Sequence, residues 1–386
     1  MRHRSRQLLV AALLTGLCAF ASRPALAVDA VTVPLETGLS DLQTLLTQLK
    51  ERKKPNVEDI NGSLDALAKA FFHIAPPELP APTPVADTAT DEEKKAAAAQ
   101  QKVFEEAQRK HLEAVLKFQT DALDGFLKAL TSVVVSPKQK TDNARNEVNL
   151  KAATVLGDIL SSPDLAKNRD AKQLDKLRGD MSKELQAVIE QHQAKEAQAE
   201  RLPSAAVTEA TFAALARTNE QKVLQWLHDN FTHTNNAPFE VERLVAAHKA
   251  MKLFTNVPGK MRHMVAGTLI RVYSGIEGSA KQVNSSDPKT RTQAQAAKAF
   301  WDKVKPGVIE AVNYFATAHG GGAPTNAEGQ GFTTMDEYMN WWRDHDKVNR
   351  EPWLDPKKDE KRDAAPKEAP KEPAKDGSKD APKEPK

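Results

Sequence analysis

Apolar residues recur every three or four positions over most of this chain, with polar residues filling the gaps. That spacing places one apolar stripe along an α-helix. Leu39, Leu42, Leu45, Leu46 and Leu49 make a first stripe, and Ile60, Leu64, Leu67, Ala68 and Phe71 a second, with Pro55 between them. A helical hairpin over 28–75 is the expectation. Pro76, Pro77, Pro80, Pro82 and Pro84 follow. Such density blocks helix and strand alike, so 76–90 reads as an extended linker.

A longer stripe begins near Asp91, where acidic residues suit a helix N-terminus, and runs through Phe104, Ala107, Leu112, Val115, Leu116, Leu123, Phe126, Leu127 and Leu130. Gly125 is expected to bend it. "TSVVV" at Thr131 to Val135 is the one short run with strand-like alternation. Ser162-Pro163-Asp164 opens a segment in which Leu174, Leu177, Met181, Leu185, Val188 and His192 recur at helical spacing, and Leu202-Pro203 ends it. Further helix starts are marked at Pro258, Asp287-Pro288, Pro306 and the capping box Thr334 to Glu337. The pattern predicts an all-α body over 91–354.

Within it, "VNLKAATVLGDI" resembles the second helix of a HEAT repeat, a helical pair that stacks into a solenoid. Val148 opens the pattern, Ala152 and Ala153 fill its small positions, and Leu156, Gly157, Asp158 and Ile159 close it. Asp142 stands where such repeats place a capping aspartate, and "LDGFLKAL" is similar to the first helix of the pair. Alanines let helices approach closely while leucine and isoleucine fill the layer between repeats. Asn149 departs from the pattern, replacing a basic residue, so the polar contact between neighbouring repeats is expected to be lost there. Trp341 and Trp342 lie in an ending similar to the tryptophan-rich closing helix of some secreted bacterial helical-repeat proteins, which implies that they cap the last core layer. The fold expected is all-α: an irregular HEAT-like helical repeat or solenoid, or alternatively an irregular helical bundle.

Charge and the chain ends change where such a body is placed. Arg2, Arg4 and Arg6 precede the apolar run Leu8 to Ala21, and Ala25-Leu26-Ala27 supplies small residues. This is the pattern of a signal peptide, 1–27, cleaved before Val28. The run is shorter than a span needs, so export to the periplasm or medium is expected, with no transmembrane span in the mature protein. The whole chain carries 55 basic and 52 acidic side chains. Removing 1–27 takes away four arginines and no acid, leaving 51 against 52, a formal charge of −1. A global nucleic-acid-binding role is thereby excluded. Cys18, the one cysteine, leaves with the signal, which excludes disulfides and thiolate chemistry. From Asp355 to Lys386, Lys, Glu, Asp, Pro and Ala in loose repetition predict a disordered tail.

Candidate chemistry is sparse, and no catalytic, cofactor or metal site is predicted. From Arg243 to Ile276 there are Lys249, Lys252, Lys260, Arg262, His263 and Arg271 but no acid. Lys260, Gly267 and Arg271 fall within about 40° of one another on a helix, with His263 nearby, and Pro258-Gly259 offers a helix start. These six side chains are the candidate site for an anion or an acidic partner. The other reading is a solvated face balanced by neighbouring acids. "HGGGAP", His319 to Pro324, is similar to the oxyanion loop of lipases, but the G-x-S-x-G elbow they require is missing. Neither Asp344-His345-Asp346 nor His228 with His233 has zinc-ligand spacing.

The expected function is an exported, non-catalytic interaction scaffold binding a protein or polymer of the cell envelope. An envelope hydrolase with a site assembled from distant residues, and a helical protein associating with anionic surfaces, are the alternatives.

Overall fold

Helical periodicity decides the structure. The computed structural model describes residues 32–50, 56–77, 89–131, 143–191, 203–232, 238–255, 257–316, 324–326 and 328–348. The signal peptide, nearly all of the proline-rich linker, "VVV" of 133–135, Asp142 and the tail lie outside the described residues. Among those described, eleven α-helices and one 3₁₀ turn account for the regular structure and no strand occurs. Two isolated bridges, Val33 with Ile74 and Thr325 with Gly331, are the remaining pairings. The fold is all-α.

The chain divides into two compact units, Met1–Phe254 and Thr255–Lys386. The body expected as one piece over 91–354 therefore contributes to both. In the first unit the helices are α1 (Leu35–Lys50), α2 (Val57–Phe72), α3 (Asp91–Thr131), α4 (Asn143–Ser161), α5 (Ala171–Gln191), α6 (Ala205–Arg217), α7 (Gln221–Phe231) and α8 (Pro238–Met251). They pack as successive pairs, α1 with α2, α3 with α4, α5 with α6 and α7 with α8. The second helices also form a row, in which α2 lies against α4, α4 against α6 and α6 against α8. The hairpin of α1 and α2 is thus the first pair of this row, although the proline-rich stretch separates it in sequence.

Small residues permit the close contacts. A Cβ added at Gly38 of α1 would lie 2.9 Å from Phe118 of α3, and one at Gly125 of α3 would lie 2.9 Å from Leu42 of α1. Gly125, expected to bend α3, is a crossing point inside an unbroken 41-residue helix. Ala152 and Ala153 of α4 and Ala214 and Ala216 of α6 are buried, and a Cβ added at Gly157 of α4 would lie 3.6 Å from Ala214 Cα.

Several buried polar side chains meet the carbonyls that helix ends leave unpaired. Gln119 of α3 donates to Phe71 O at 2.6 Å, and its own oxygen accepts from Arg169 at 2.6 Å. Asn149 of α4 donates to Leu130 O at 2.7 Å, and Arg243 of α8 to Ile189 O at 3.2 Å. His248 of α8 hydrogen-bonds the backbone of Phe231. The segment expected to start at Ser162 is interrupted. Ser162 caps the 3₁₀ turn Pro163–Ala166, Asn168 turns left-handed at φ 65°, and α5 starts only after Asp170. There Asp170 and Gln173 cap each other, with N–H···O distances of 2.8 and 3.0 Å.

The second unit contains α9 (Gly259–Ala280), α10 (Pro288–Ala316) and α11 (Met335–Val348), with α9 packing on both others. Pro306, expected to begin a helix, lies inside α10. Its lost N–H bond is tolerated where Val304, Val308, Ala311 and Val312 bury the same helix. The expected capping box is present: Glu337 N donates to Thr334 Oγ1 at 3.3 Å, and Thr334 N to Glu337 Oε2 at 2.8 Å. Glu277 of α9, 5% exposed, accepts from Met335 N at 2.8 Å, while Lys281 bridges Glu277 and Asp336. Tyr338 donates to Asn313 at 2.5 Å, joining α11 to α10. No described helix is long and apolar enough to cross a membrane.

Gln119→Leu leaves the Phe71 carbonyl without its buried side-chain donor, and loss of such a partner costs about 1–3 kcal/mol. Urea unfolding should show a drop of that size, carried by the transition of the first unit.

Candidate interaction surface

Two polar features decide what this protein presents: the basic stretch singled out in the sequence, and a row of ion pairs that the sequence did not reveal.

The basic residues are divided between the units. Lys249 and Lys252 belong to the first, where Lys249 donates to Glu209 of α6 at 2.7 Å and Lys252 is half-buried just past α8. Lys260, Arg262, His263 and Arg271 belong to α9 in the second. There the stripe of Lys260, Gly267 and Arg271 is not an open face. α11 packs across its middle, so that a Cβ at Gly267 would stand 2.5 Å from the indole of Trp342. The His263 ring lies against the same indole, with centroids 4.7 Å apart. Ser274, one turn beyond Arg271, donates to Met335 O at 3.1 Å. Arg262 gives its Nε–H to Val257 O and Arg271 gives its own to Gly267 O, each at 3.0 Å. Lys260 and Arg271 remain exposed at the margins of the docked helix. Glycine at the centre of the stripe was the available signal, since it marks a close approach as readily as an open face. Trp342 is 5% exposed, packed as a core residue of the second unit.

Along the row of second helices, each junction carries one ion pair among the described residues. Asp65 of α2 meets Lys151 of α4 at 2.5 Å, Asp158 of α4 meets Arg217 of α6 at 3.0 Å, and Glu209 of α6 meets Lys249 of α8 at 2.7 Å. Every acid comes from the earlier helix and every base from the later one. Asn61 of α2 adds a bond to Glu147 of α4 at 3.2 Å. The side chains are between 31% and 62% exposed, so each pair contributes only about 0.2–1 kcal/mol and serves mainly to fix register. On α4 these polar contacts are made by Lys151 and Asp158. Asn149 itself is fully buried within the α3–α4 pair. Gly157 makes room for the rung, because a Cβ there would lie 2.6 Å from Nη1 of Arg217.

Arg243 and His248 are buried polar side chains that the sequence does not single out. Arg243 is 7% exposed, with its guanidinium 5.5 Å from the Phe231 ring centroid. It shares a helical face with the buried Ala247 and Ala250, four and seven positions on, which was the legible sign of its burial. His248 shares a face with Leu244 and Met251, and burial holds its ring well below the ordinary histidine range, at about 4. His228 contacts Asp229 at 2.9 Å, whereas His233, the His319–Ala323 stretch and the side chains of Asp344 to Asp346 lie outside what is described. Among the described residues, no group of three His, Cys, Asp or Glu side chains is arranged to hold a metal ion.

No protein-family model matches the chain, and no curated protein or solved structure matches it significantly.

Gly267→Ala forces the Trp342 indole off α9, and overpacking of this kind costs about 1–3 kcal/mol. Thermal unfolding followed by tryptophan circular dichroism should show the second unit melting earlier, with the first unchanged. A double-mutant cycle on Asp158→Asn and Arg217→Gln should give a coupling of about 0.2–1 kcal/mol that shrinks as salt is added.

Proposed function

We propose that this chain is an exported, non-catalytic interaction scaffold of the cell envelope, whose first unit is a short HEAT-like array of helical pairs. The observation that carries this reading is the row α2–α4–α6–α8, with one ion pair of constant polarity at each junction. A closed bundle needs no such repetition, whereas a stack of pairs meets the same interface problem at every step. The repeat-like positions of α4 support it as well, because Val148, Ala152, Ala153, Leu156 and Ile159 are all buried. Export rests on the basic start, the apolar run and the Ala25-Leu26-Ala27 site of the sequence. The partner in this reading is a protein or polymer of the envelope.

Two measurements test it. N-terminal sequencing of protein recovered from the producing cell should begin at Val28, and a chain retaining the earlier residues would refute cleavage there. Photoreactive side chains at Thr154 and Ala213, half-exposed on the second helices, should crosslink one reproducible envelope component. The same probe at Lys303 in the second unit serves as comparison. Equal labelling from all three positions, or none from any, would sink the scaffold assignment.

A further inference from the structure

Only the later part of α3 is packed. Its buried side chains run from Val115 to Leu130. From Asp91 to Ala114 no side chain is buried, which leaves an arm of about 36 Å of helix. The arm supports itself locally. Glu93 N–H donates to Thr90 Oγ1 at 3.3 Å and Thr90 N–H to Glu93 Oε2 at 2.8 Å, a capping box. Arg109 pairs with Glu106 and Glu113, each at 2.7 Å.

These ion pairs lie on one side, and the other side is nearly free of charge. At about 100° per residue, Ala97, Gln100, Phe104, Ala107 and His111 fall within about 60° of Phe104. Glu106, Arg109 and Glu113 lie more than about 130° away from it. The stripe is in phase with Val115 and Phe118, where the same face enters the core. Ala97, Phe104, Ala107 and His111 are half-buried and Gln100 is exposed. Val103, on the flank of the stripe, is 71% exposed.

We propose that this arm docks on the same arm of a second copy of the chain, antiparallel, about a two-fold axis at the level of Lys102. In that register Ala97 faces Ala107 of the second copy, and Gln100 faces Phe104 of the second copy. Val103 meets the other Val103 across the axis, which covers the exposed side chain. Glu92 and Lys110 lie on one flank, each about 120° from Phe104. The antiparallel register brings Glu92 of each copy beside Lys110 of the other, whereas a parallel one brings acid to acid and base to base. Lys110 now stands 3.5 Å from Glu106 on the exposed surface, a contact it can exchange. With six acids and five bases between Asp91 and Ala114, the arm is nearly neutral, which suits a copy of itself better than a strongly charged polymer. Every contact occurs twice, but the interface is small, so association is weak and concentration-dependent.

Sedimentation velocity of the chain from Val28 to Lys386 tests this, between about 1 and about 200 μM. A reversible monomer–dimer equilibrium is expected. Phe104→Glu places a charge in the interface and should weaken it at least about tenfold, with far-ultraviolet circular dichroism unchanged. Lys110→Glu should weaken it as well, and Glu92→Lys in the same chain should restore it. Orientation is read by disulfide trapping, because the chain from Val28 has no cysteine of its own. Ala97→Cys and Ala107→Cys proteins should crosslink when mixed. Alone, each holds its thiols about 15 Å apart along the axis, beyond disulfide reach. A monomer at every concentration, a dimer indifferent to Phe104→Glu, or single variants that crosslink as fast as the mixture would each overturn the proposal.

Discussion

Buried helix ends set the terms for this fold. A helix leaves its last carbonyls without partners of its own, and layered packing takes those ends out of water. A carbonyl stranded there costs about 1–3 kcal/mol, more than an exposed ion pair returns. Gln119, Asn149, Arg243 and His248 each meet such a carbonyl from a later helix, and Glu277 does the converse for the amide that starts α11. The positions of these buried polar side chains are therefore fixed by geometry. These four are each placed where a preceding helix ends: Asn149 and His248 join the two helices of one pair, and Gln119 and Arg243 join helices of different pairs.

This explains which parts of the molecule were legible beforehand. Helices were read from apolar spacing, because burial on one face leaves a periodic record. Leu42, Leu45, Ile60, Leu64, Leu67 and Phe71 are all buried on the two stripes expected for the first hairpin. Boundaries followed where a cap is local, as at Thr334 and Glu337. They were missed where backbone conformation intervened, as at left-handed Asn168, or where packing overrode a signal, as at Pro306. Arg243 and His248 were opaque for a different reason. Their type suggests a surface, and only the apolar positions three, four and seven residues away betray their burial.

The basic stripe of α9 shows the same limit from the other side. Angular proximity of Lys260, Gly267 and Arg271 is a property of one helix, and it holds. Whether the face is open depends on a second helix some 70 residues later in the chain, and Trp342 occupies it. Residue type carried the missing information, since a glycine between two cations offers a flat bed for an aromatic ring. The ion pairs between second helices were invisible to composition for the complementary reason. Asp65, Lys151, Asp158, Arg217, Glu209 and Lys249 are ordinary surface charges until the helices are laid side by side.

Because each junction takes its acid from the earlier helix and its base from the later, the row has a chemical arrow. Each inner helix of the row turns a base toward the helix before it and an acid toward the helix after it. Reversing one would bring acid to acid or base to base. The arrow also distinguishes the two ends of the unit chemically, even where their helices are alike in length and apolar content.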